Sequence, residues 1–148
     1  MRVQDILKSK GASVITIVET TCVARAVSIM QARAIGALGV VTSDGQLKGV
    51  ISEREIVVAL ARHGNKTLDL RVGDLMLTDC PAVAPTDSVR DAMTIMTEQR
   101  VRHLPVILDC SVVGLISIGD TVKTRLSEKI AENLVLQEIA HWPAVSAA

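Results

Sequence analysis

The sequence predicts an α+β fold that consists of tandem β-α-β-β-α repeats related by a pseudo-two-fold axis. Two observations lead to this prediction. Short sequence blocks recur in the same order in both halves, and each half combines helical and strand-like spacing of apolar residues. A chain of 148 residues with 49% hydrophobic residues can bury a substantial core, but a unit of about 65 residues is marginal alone. The repeats should therefore pack together and leave two related clefts at their seam.

Four blocks of the first half recur in the second half, and the pairs are 3–7 with 72–76, 23–30 with 89–96, 35–41 with 101–107, and 49–52 with 114–117. Their common order makes a chance match untenable. The pairing predicts four segments, which are a first repeat over 1–64, a linker over 65–71, a second repeat over 72–126, and a C-terminal helix and tail over 127–148.

The first strand and first helix of each repeat have their own local signals. Apolar segments at 15–18 and 82–84 predict short strands ahead of a helix. Apolar residues at helical spacing follow in segments 23–30 and 89–96. Polar side chains before these segments are candidate helix caps, namely Thr20 and Thr21 in the first repeat and residues 85–88 in the second.

A hairpin and a second helix complete each repeat. Asp44-Gly45 between two apolar runs is a strong hairpin signal, whereas Asp109-Cys110-Ser111 is a weaker one. The second helix of the first repeat stops at His63-Gly64, where glycine suits a left-handed cap. Its counterpart starts near Ile118 and can continue to about Ala140, since neither proline nor a further glycine interrupts it.

Composition and charge exclude several classes of function. The 16 basic and 16 acidic residues leave no net charge to attract nucleic acid, so we expect no nucleic-acid partner. No apolar run reaches the roughly 20 residues that a membrane helix needs. The N-terminus is too polar for a signal peptide, so we expect a cytoplasmic location without membrane attachment.

Cysteine and aromatic content limits the chemistry of any site. Cys22, Cys80 and Cys110 are odd in number and widely spaced, so neither a zinc site nor a disulfide framework is supported. We expect buried, inert thiols in a reducing compartment. Trp142 is the one tryptophan, and the chain has no phenylalanine or tyrosine. A flat ligand must therefore lie between aliphatic side chains and backbone.

The segment Gly114-Leu-Ile-Ser-Ile-Gly-Asp120 carries the most informative chemistry. It ends a predicted strand at Ser117 and opens a helix, whose free N–H groups and serine hydroxyl suit a phosphate. Asp120, three residues later, suits the two hydroxyls of a ribose, as an acidic residue does in dinucleotide-binding folds. Gly119 permits close approach of a ligand to the backbone. The alternative is that Ser117 and Asp120 only cap the helix.

A basic pair, Arg102-His103, precedes the first strand of the second hairpin. Arginine binds phosphate through two hydrogen bonds from its planar fork, so the pair is a candidate phosphate site. The alternative is a solvated pair at a strand edge. The first repeat has Gly36-Ala37 at these positions, and it places Arg54 and Glu55 after Ser52. The two clefts are therefore expected to differ chemically.

These motifs resemble those of the CBS (cystathionine-β-synthase) domain, and the chain resembles a stand-alone CBS pair, also called a Bateman module. The resemblance covers residues 1–126 and rests on 72–76, 102–106 and 114–120, with weaker matches at 36–40 and 49–55. It implies that the pair binds an adenosine-containing ligand, AMP, ADP, ATP or NAD, in the seam clefts.

The resemblance also implies which residues line each cleft. In the cleft of Asp120, Ile15 and Ile35 would sandwich the adenine, whereas Lys10 is left open between phosphate and solvent. The residues implied for this cleft are Lys10, Ser13, Val14, Ile15, Ile35, Gly36, Ala37, Arg102, His103, Ser117, Ile118, Gly119 and Asp120. The second, weaker cleft is implied to use Thr78, Pro81, Val83 and Val101 with Ser52, Arg54 and Glu55.

These features predict a non-catalytic sensor that passes a ligand-dependent change to an unknown downstream protein. An enzyme is disfavoured, because the nucleophile and base that can be proposed, Cys110 and His103, lie about a strand length apart. The alternative is a ligand-free assembly module. A homodimer is expected in solution, since it would bury an apolar stripe along the last helix that comprises Val122, Leu126, Ile130 and Leu134.

Overall fold

The computed structural model describes residues 1–11 and 14–141, and its mixture of helices and small sheets confirms the predicted α+β class. The helices are α1 (Val3–Lys10), α2 (Val23–Arg33), α3 (Glu53–His63), α4 (Val72–Leu75), α5 (Val89–Glu98) and α6 (Ile118–Ala140). The strands are β1 (Thr16–Val18), β2 (Ala37–Val41), β3 (Leu47–Ser52), β4 (His103–Leu108) and β5 (Ser111–Ser117). A 3-10 helix, Gly64–Asp69, follows α3. Each repeat thus begins with a short helix, α1 or α4, that the predicted repeat unit did not include.

The two sheets are unequal because the first strand of the second repeat is reduced to one residue. In the first repeat β1 pairs in parallel with β2, and β2 pairs antiparallel with β3. In the second repeat β4 and β5 form an antiparallel hairpin, and Val83 alone pairs in parallel with Val106. Pro81 and Pro85 flank Val83 and lack backbone N–H groups, so they cannot extend this pairing into a ladder.

The short helices α1 and α4 are exchanged between the two hydrophobic cores. Val3 and Ile6 of α1 are buried in the second repeat, among Val83, Val89, Ala92, Met96, Leu104, Val106 and Ile116. Val72 of α4 is buried in the first repeat, among Ile17, Val23, Ala26, Met30, Leu38, Val40, Ile51 and Ile56. Each core is therefore completed by the helix that begins the other repeat.

The same exchange decides how α2 begins. The structure places Cys22, and neither Thr20 nor Thr21, at the N-cap of α2, and no side chain caps it. Cys22 instead forms a backbone bridge with Arg71, ahead of α4. In the second repeat the predicted cap is confirmed, because the Ser88 hydroxyl accepts a hydrogen bond from the Asp91 amide at 3.0 Å.

The prediction of buried cysteines is wrong for two of the three. Cys22 and Cys110 are exposed and Cys80 is half-buried, each as a free thiol. Cys110 is exposed because it forms the tip of the β4–β5 hairpin together with Asp109. Both residues have positive φ, 49° for Asp109 and 62° for Cys110, as a two-residue type I′ turn requires.

Helix α6 extends well beyond the second core. It ends at Ala140, as the sequence predicts, and many apolar side chains along it are exposed, including Val122, Leu126, Ile130, Leu134, Leu136 and Ile139. The tail that begins at Trp142 lies outside the described residues. Among the residues described, none of the helices combines the length and the apolar character that crossing a bilayer requires.

Candidate functional site

A cavity of about 540 Å³ opens between the two repeats beside the start of α6. Small-molecule sites commonly enclose about 300–1,000 Å³, so the volume suits a ligand of that class. The predicted residues that line the cavity are Lys10, Val14, Ile15, Ile35, Gly36, Ala37, His103, Ser117 and Asp120. Because α1 packs on the second repeat, its last residue, Lys10, comes to lie beside Asp120.

Asp120 lies at the centre of a hydrogen-bonded cluster at the N-terminus of α6. Its Oδ2 atom accepts from the backbone amide of Ser117 at 2.8 Å and from the Lys10 ammonium at 2.7 Å. In return the Asp120 amide donates to the Ser117 hydroxyl at 3.2 Å, which completes a capping box. The helix-capping role, one of the two alternatives considered above, is therefore present, and the same carboxylate also lines the cavity.

The cluster keeps Asp120 ionised. Burial by itself raises the pKa of Asp120, but hydrogen bonds from Lys10 and from Ser117 outweigh it and hold the pKa below the usual 3.8. The cavity is also lined by two cationic side chains, Lys10 and Arg33. At neutral pH the ionised groups of this lining carry one positive charge in excess, which favours an anionic ligand.

His103 contributes a neutral polar group to the cavity. Burial lowers its pKa, and the positive charge of Lys10 lowers it further, against the opposing effect of Glu53, Asp120 and Glu55. Since the ordinary value is 6.5, the imidazole is mainly uncharged at neutral pH. It can therefore donate one hydrogen bond and accept another without adding charge.

Sequence reasoning did not assign several residues that line the cavity, namely Leu7, Gly11, Arg33, Ala34, Val113, Gly114 and Leu115. Leu7 and Gly11 lie there because α1 is exchanged, which no local pattern reveals. Arg33 ends α2, and the chain turns there because Ala34 adopts a left-handed conformation with φ of 52°. Gly114 and Leu115 belong to the motif that led to Asp120, so their position was the accessible signal.

Three predicted residues lie away from the cavity and one cannot be placed. Arg102 is exposed and does not line it, because neighbouring residues of an extended chain point to opposite sides and His103 takes the inward direction. Ile118 and Gly119 are also exposed, on the outer side of the first turn of α6. Ser13 falls outside the described residues.

The predicted second cleft does not form a matching cavity in the part of the chain that the structure describes. Val83 is 3% exposed and belongs to the second core rather than to a cleft. Arg54 and Glu55 line a different and smaller cavity of about 220 Å³, between α3 and α4. Neither cavity is lined by the other residues predicted for this cleft, which are Thr78, Pro81, Val101 and Ser52.

Side chains bridge the seam on this second side. The Arg54 guanidinium donates to the carbonyl oxygen of Arg100 at 3.2 Å and so joins α3 to the second repeat. Glu55 accepts hydrogen bonds from the amide and the hydroxyl of Ser52. Burial raises the pKa of the nearby Cys80 thiol to about 11, and the charge of Glu55 adds to this rise, so the thiol stays protonated.

The comparison with known proteins decides the family. The sequence matches the CBS domain family twice, over residues 3–62 and 72–126. The chain belongs to the CBS domain family. A CBS domain-containing mitochondrial protein of Arabidopsis thaliana, CBSX3, is 35% identical over 134 residues, which span 85% of this chain and 65% of that protein.

Solved structures of CBS-domain proteins share the fold of this CBS pair. A protein from Agrobacterium tumefaciens is 35% identical, with a TM-score of 0.80 over 84% of this chain and 92% of that one. CBSX2 was solved with AMP (24% identity, TM-score 0.68, 86% and 98% covered). The CBS pair of protein MJ0100 was solved with 5-methylthioadenosine and S-adenosyl-L-methionine (22% identity, TM-score 0.77, 86% and 98% covered). At these lower identities the likeness concerns the fold.

Proposed function

We propose that this CBS pair is a non-catalytic regulatory module that binds an adenosine phosphate, AMP, ADP, ATP or NAD, in the cavity at Asp120. One observation carries the proposal: the cavity brings an ionised carboxylate and two cationic side chains, Lys10 and Arg33, to one place. A carboxylate suits the two ribose hydroxyls, and the cations suit phosphate.

Aliphatic side chains of the cavity support the adenine part of the proposal. Ile15 and Ile35 both line it and both are half-buried, so they can cover the two faces of a flat ring without an aromatic partner. CBS-pair structures with AMP and with S-adenosyl-L-methionine support an adenosine-containing ligand as the general class. The cytoplasm is the location we propose for this activity.

A regulatory role is favoured over catalysis by the positions of the reactive groups. His103 begins β4, whereas Cys110 lies in the turn that follows this strand. Six strand residues at about 3.3 Å each separate the two side chains by roughly 20 Å, far beyond proton-transfer distance. Cys80 is closer to the seam, but its raised pKa keeps it from acting as a nucleophile.

Thermal unfolding with a panel of nucleotides tests the proposal. A ligand present at 100 times its Kd should stabilise the folded chain by about 2.7 kcal/mol and so raise Tm. We expect a shift with at least one of AMP, ADP, ATP and NAD, and none with the matched guanosine compounds. Absence of any shift would reject nucleotide binding, and turnover of a nucleotide would reject a non-catalytic role.

Homodimer assembly is a second candidate function that α6 favours. Leu126, Ile130 and Leu134 are each more than half exposed, at 60%, 53% and 57%. They recur every four residues and form one apolar face, and a patch of this size usually marks an interface. A two-fold dimer is the commonest way to bury it. Assembly and nucleotide binding are compatible, since α6 carries Asp120 at one end and this face further along.

A further inference from the structure

Lys10 occupies the carboxylate that the proposed ligand needs. Its ammonium lies 2.7 Å from Asp120 Oδ2 and donates to the carbonyl oxygen of Leu115 at 3.1 Å. The backbone amide of Ser117 donates to the same Oδ2 at 2.8 Å. A carboxylate has about four lone-pair sites, two on each oxygen, so these two donors saturate Oδ2.

A ribose that presents two neighbouring hydroxyls to one carboxylate uses both oxygens and must displace one of these donors. The amide of Ser117 is fixed at the N-terminus of α6. Lys10 has a flexible four-carbon side chain, of which 40% is exposed, so it can move. Lys10 is therefore the donor that a ribose displaces.

Displacement is unfavourable unless the ammonium gains another anion. Among the described residues that line the cavity, Asp120 is the one carboxylate, and Arg33 adds a further positive charge. A phosphate group on the ligand supplies the missing anion, and its hydrogen bonds to lysine are charge-assisted. An unphosphorylated nucleoside supplies none, so its ribose competes with Lys10 without compensation.

We propose that Lys10 makes the cavity selective for phosphorylated over unphosphorylated adenosine ligands, because it covers Asp120 until a ligand anion draws its ammonium away. The inference rests on the proposed function and adds to it the group that reads the phosphate. In this view Lys10 restrains the empty site and holds phosphate in the occupied one.

Calorimetric titration with adenosine and with AMP tests this selectivity on the full chain and three variants. Lys10→Met removes the ammonium, and Lys10→Arg keeps a positive charge. Lys8→Met is the matched control, since Lys8 lies on the same helix and is exposed outside the cavity. For Lys10→Met we expect adenosine to bind about 2- to 5-fold more tightly, the scale of a partly exposed ion pair, and AMP about 10-fold more weakly.

Lys10→Arg should retain the preference for AMP, and Lys8→Met should match the unmodified chain with both ligands. If Lys10→Met changes the two affinities in the same direction, or leaves both unchanged, the selectivity is overturned while the proposed function stands. If neither ligand binds the unmodified chain or any variant, the proposed function is overturned together with the inference. Thermal unfolding of each variant without ligand verifies that the fold is retained.

Discussion

The two sides of the seam are built from matching sequence blocks, yet one is an open cavity and the other is bridged. Beside Asp120, the position after Ile118 is Gly119, and a Cβ built there would have only the Ser117 hydroxyl nearby, at 3.6 Å. At the corresponding place in the first repeat, Arg54 reaches the carbonyl oxygen of Arg100 across the seam. One long side chain in place of glycine is sufficient to make a repeated cleft unequal.

The short helices that begin the repeats differ in the same sense. Helix α1 has eight residues and ends with Lys10 in the cavity. Helix α4 has four, and the chain then extends so that Leu77 pairs with Val50. The first repeat therefore carries a cation to the Asp120 side, whereas the second uses the following residues to close its own side.

The largest expected effect concerns the last helices, because α3 ends at His63 and α6 continues with an exposed apolar face. Substituting both Leu126→Glu and Ile130→Glu should abolish the dimer, since each leucine-sized side chain buried at an interface contributes about 1.5–3 kcal/mol. Light scattering should give twice the chain mass for the unmodified protein and one chain mass for the variant. Leu108→Glu, at an exposed position of the β4–β5 hairpin, is the control and should remain dimeric. A monomeric unmodified chain would contradict the expectation.

Asp120→Ala and Glu55→Ala should separate the two sides of the seam. Each substitution removes the acidic member of a capping box, so each should cost the helix about 1 kcal/mol of stability. Loss of hydrogen bonds to a charged group should weaken AMP binding to Asp120→Ala by a further 1.5–3 kcal/mol, about 10- to 150-fold. Glu55→Ala should bind AMP like the unmodified chain in calorimetry. Equal weakening in both variants would remove Asp120 from the site.

A pair of glycines gives a matched test of packing on the two sides. A Cβ at Gly49 would lie 2.6 Å from the backbone oxygen of Leu77, whereas at Gly114 it would lie 2.4 Å from the end of the Leu7 side chain. Overpacking costs about 1–3 kcal/mol, and backbone yields less readily than a side chain tip. Gly49→Ala should therefore lower unfolding stability more than Gly114→Ala. Denaturant titration measures this difference, and the reverse ranking would show that Leu7 cannot move.

The smallest expected effect is a pH dependence that His103 adds to the Asp120 side. Its pKa lies below 6.5 in the free protein, so protonation occurs only as the pH falls beneath that value, and it opposes folding because the site favours the neutral ring. A bound phosphate should offset this cost. From about pH 7.5 to about pH 5, AMP binding should therefore tighten about 2- to 3-fold relative to His103→Gln, the scale of a weak ion pair. Parallel pH profiles for both proteins would show that His103 remains neutral when the ligand binds.

The repeat made much of the fold predictable. Helical spacing in segments 23–30 and 89–96 became α2 and α5, and Asp44-Gly45 lies in the turn between β2 and β3. The first strand of the second repeat was overestimated, because its flanking prolines restrict pairing in a way that apolar spacing does not reveal. The segments 3–7 and 72–76 were recognised as a repeated block but not as helices, since four to eight residues are too few for a clear helical period.

By itself the sequence determined that two repeats share one seam and that Ser117 and Asp120 open a helix there, because capping and hairpin signals are local. Tertiary structure alone decided which residues face each other across the seam. Exchange of α1 brought Lys10 to Asp120 over 110 positions of the chain, the direction of an extended segment selected His103 instead of Arg102, and Arg54 bridged the second side. Such contacts depend on how two cores share their helices, and that packing leaves no periodic signal in the chain.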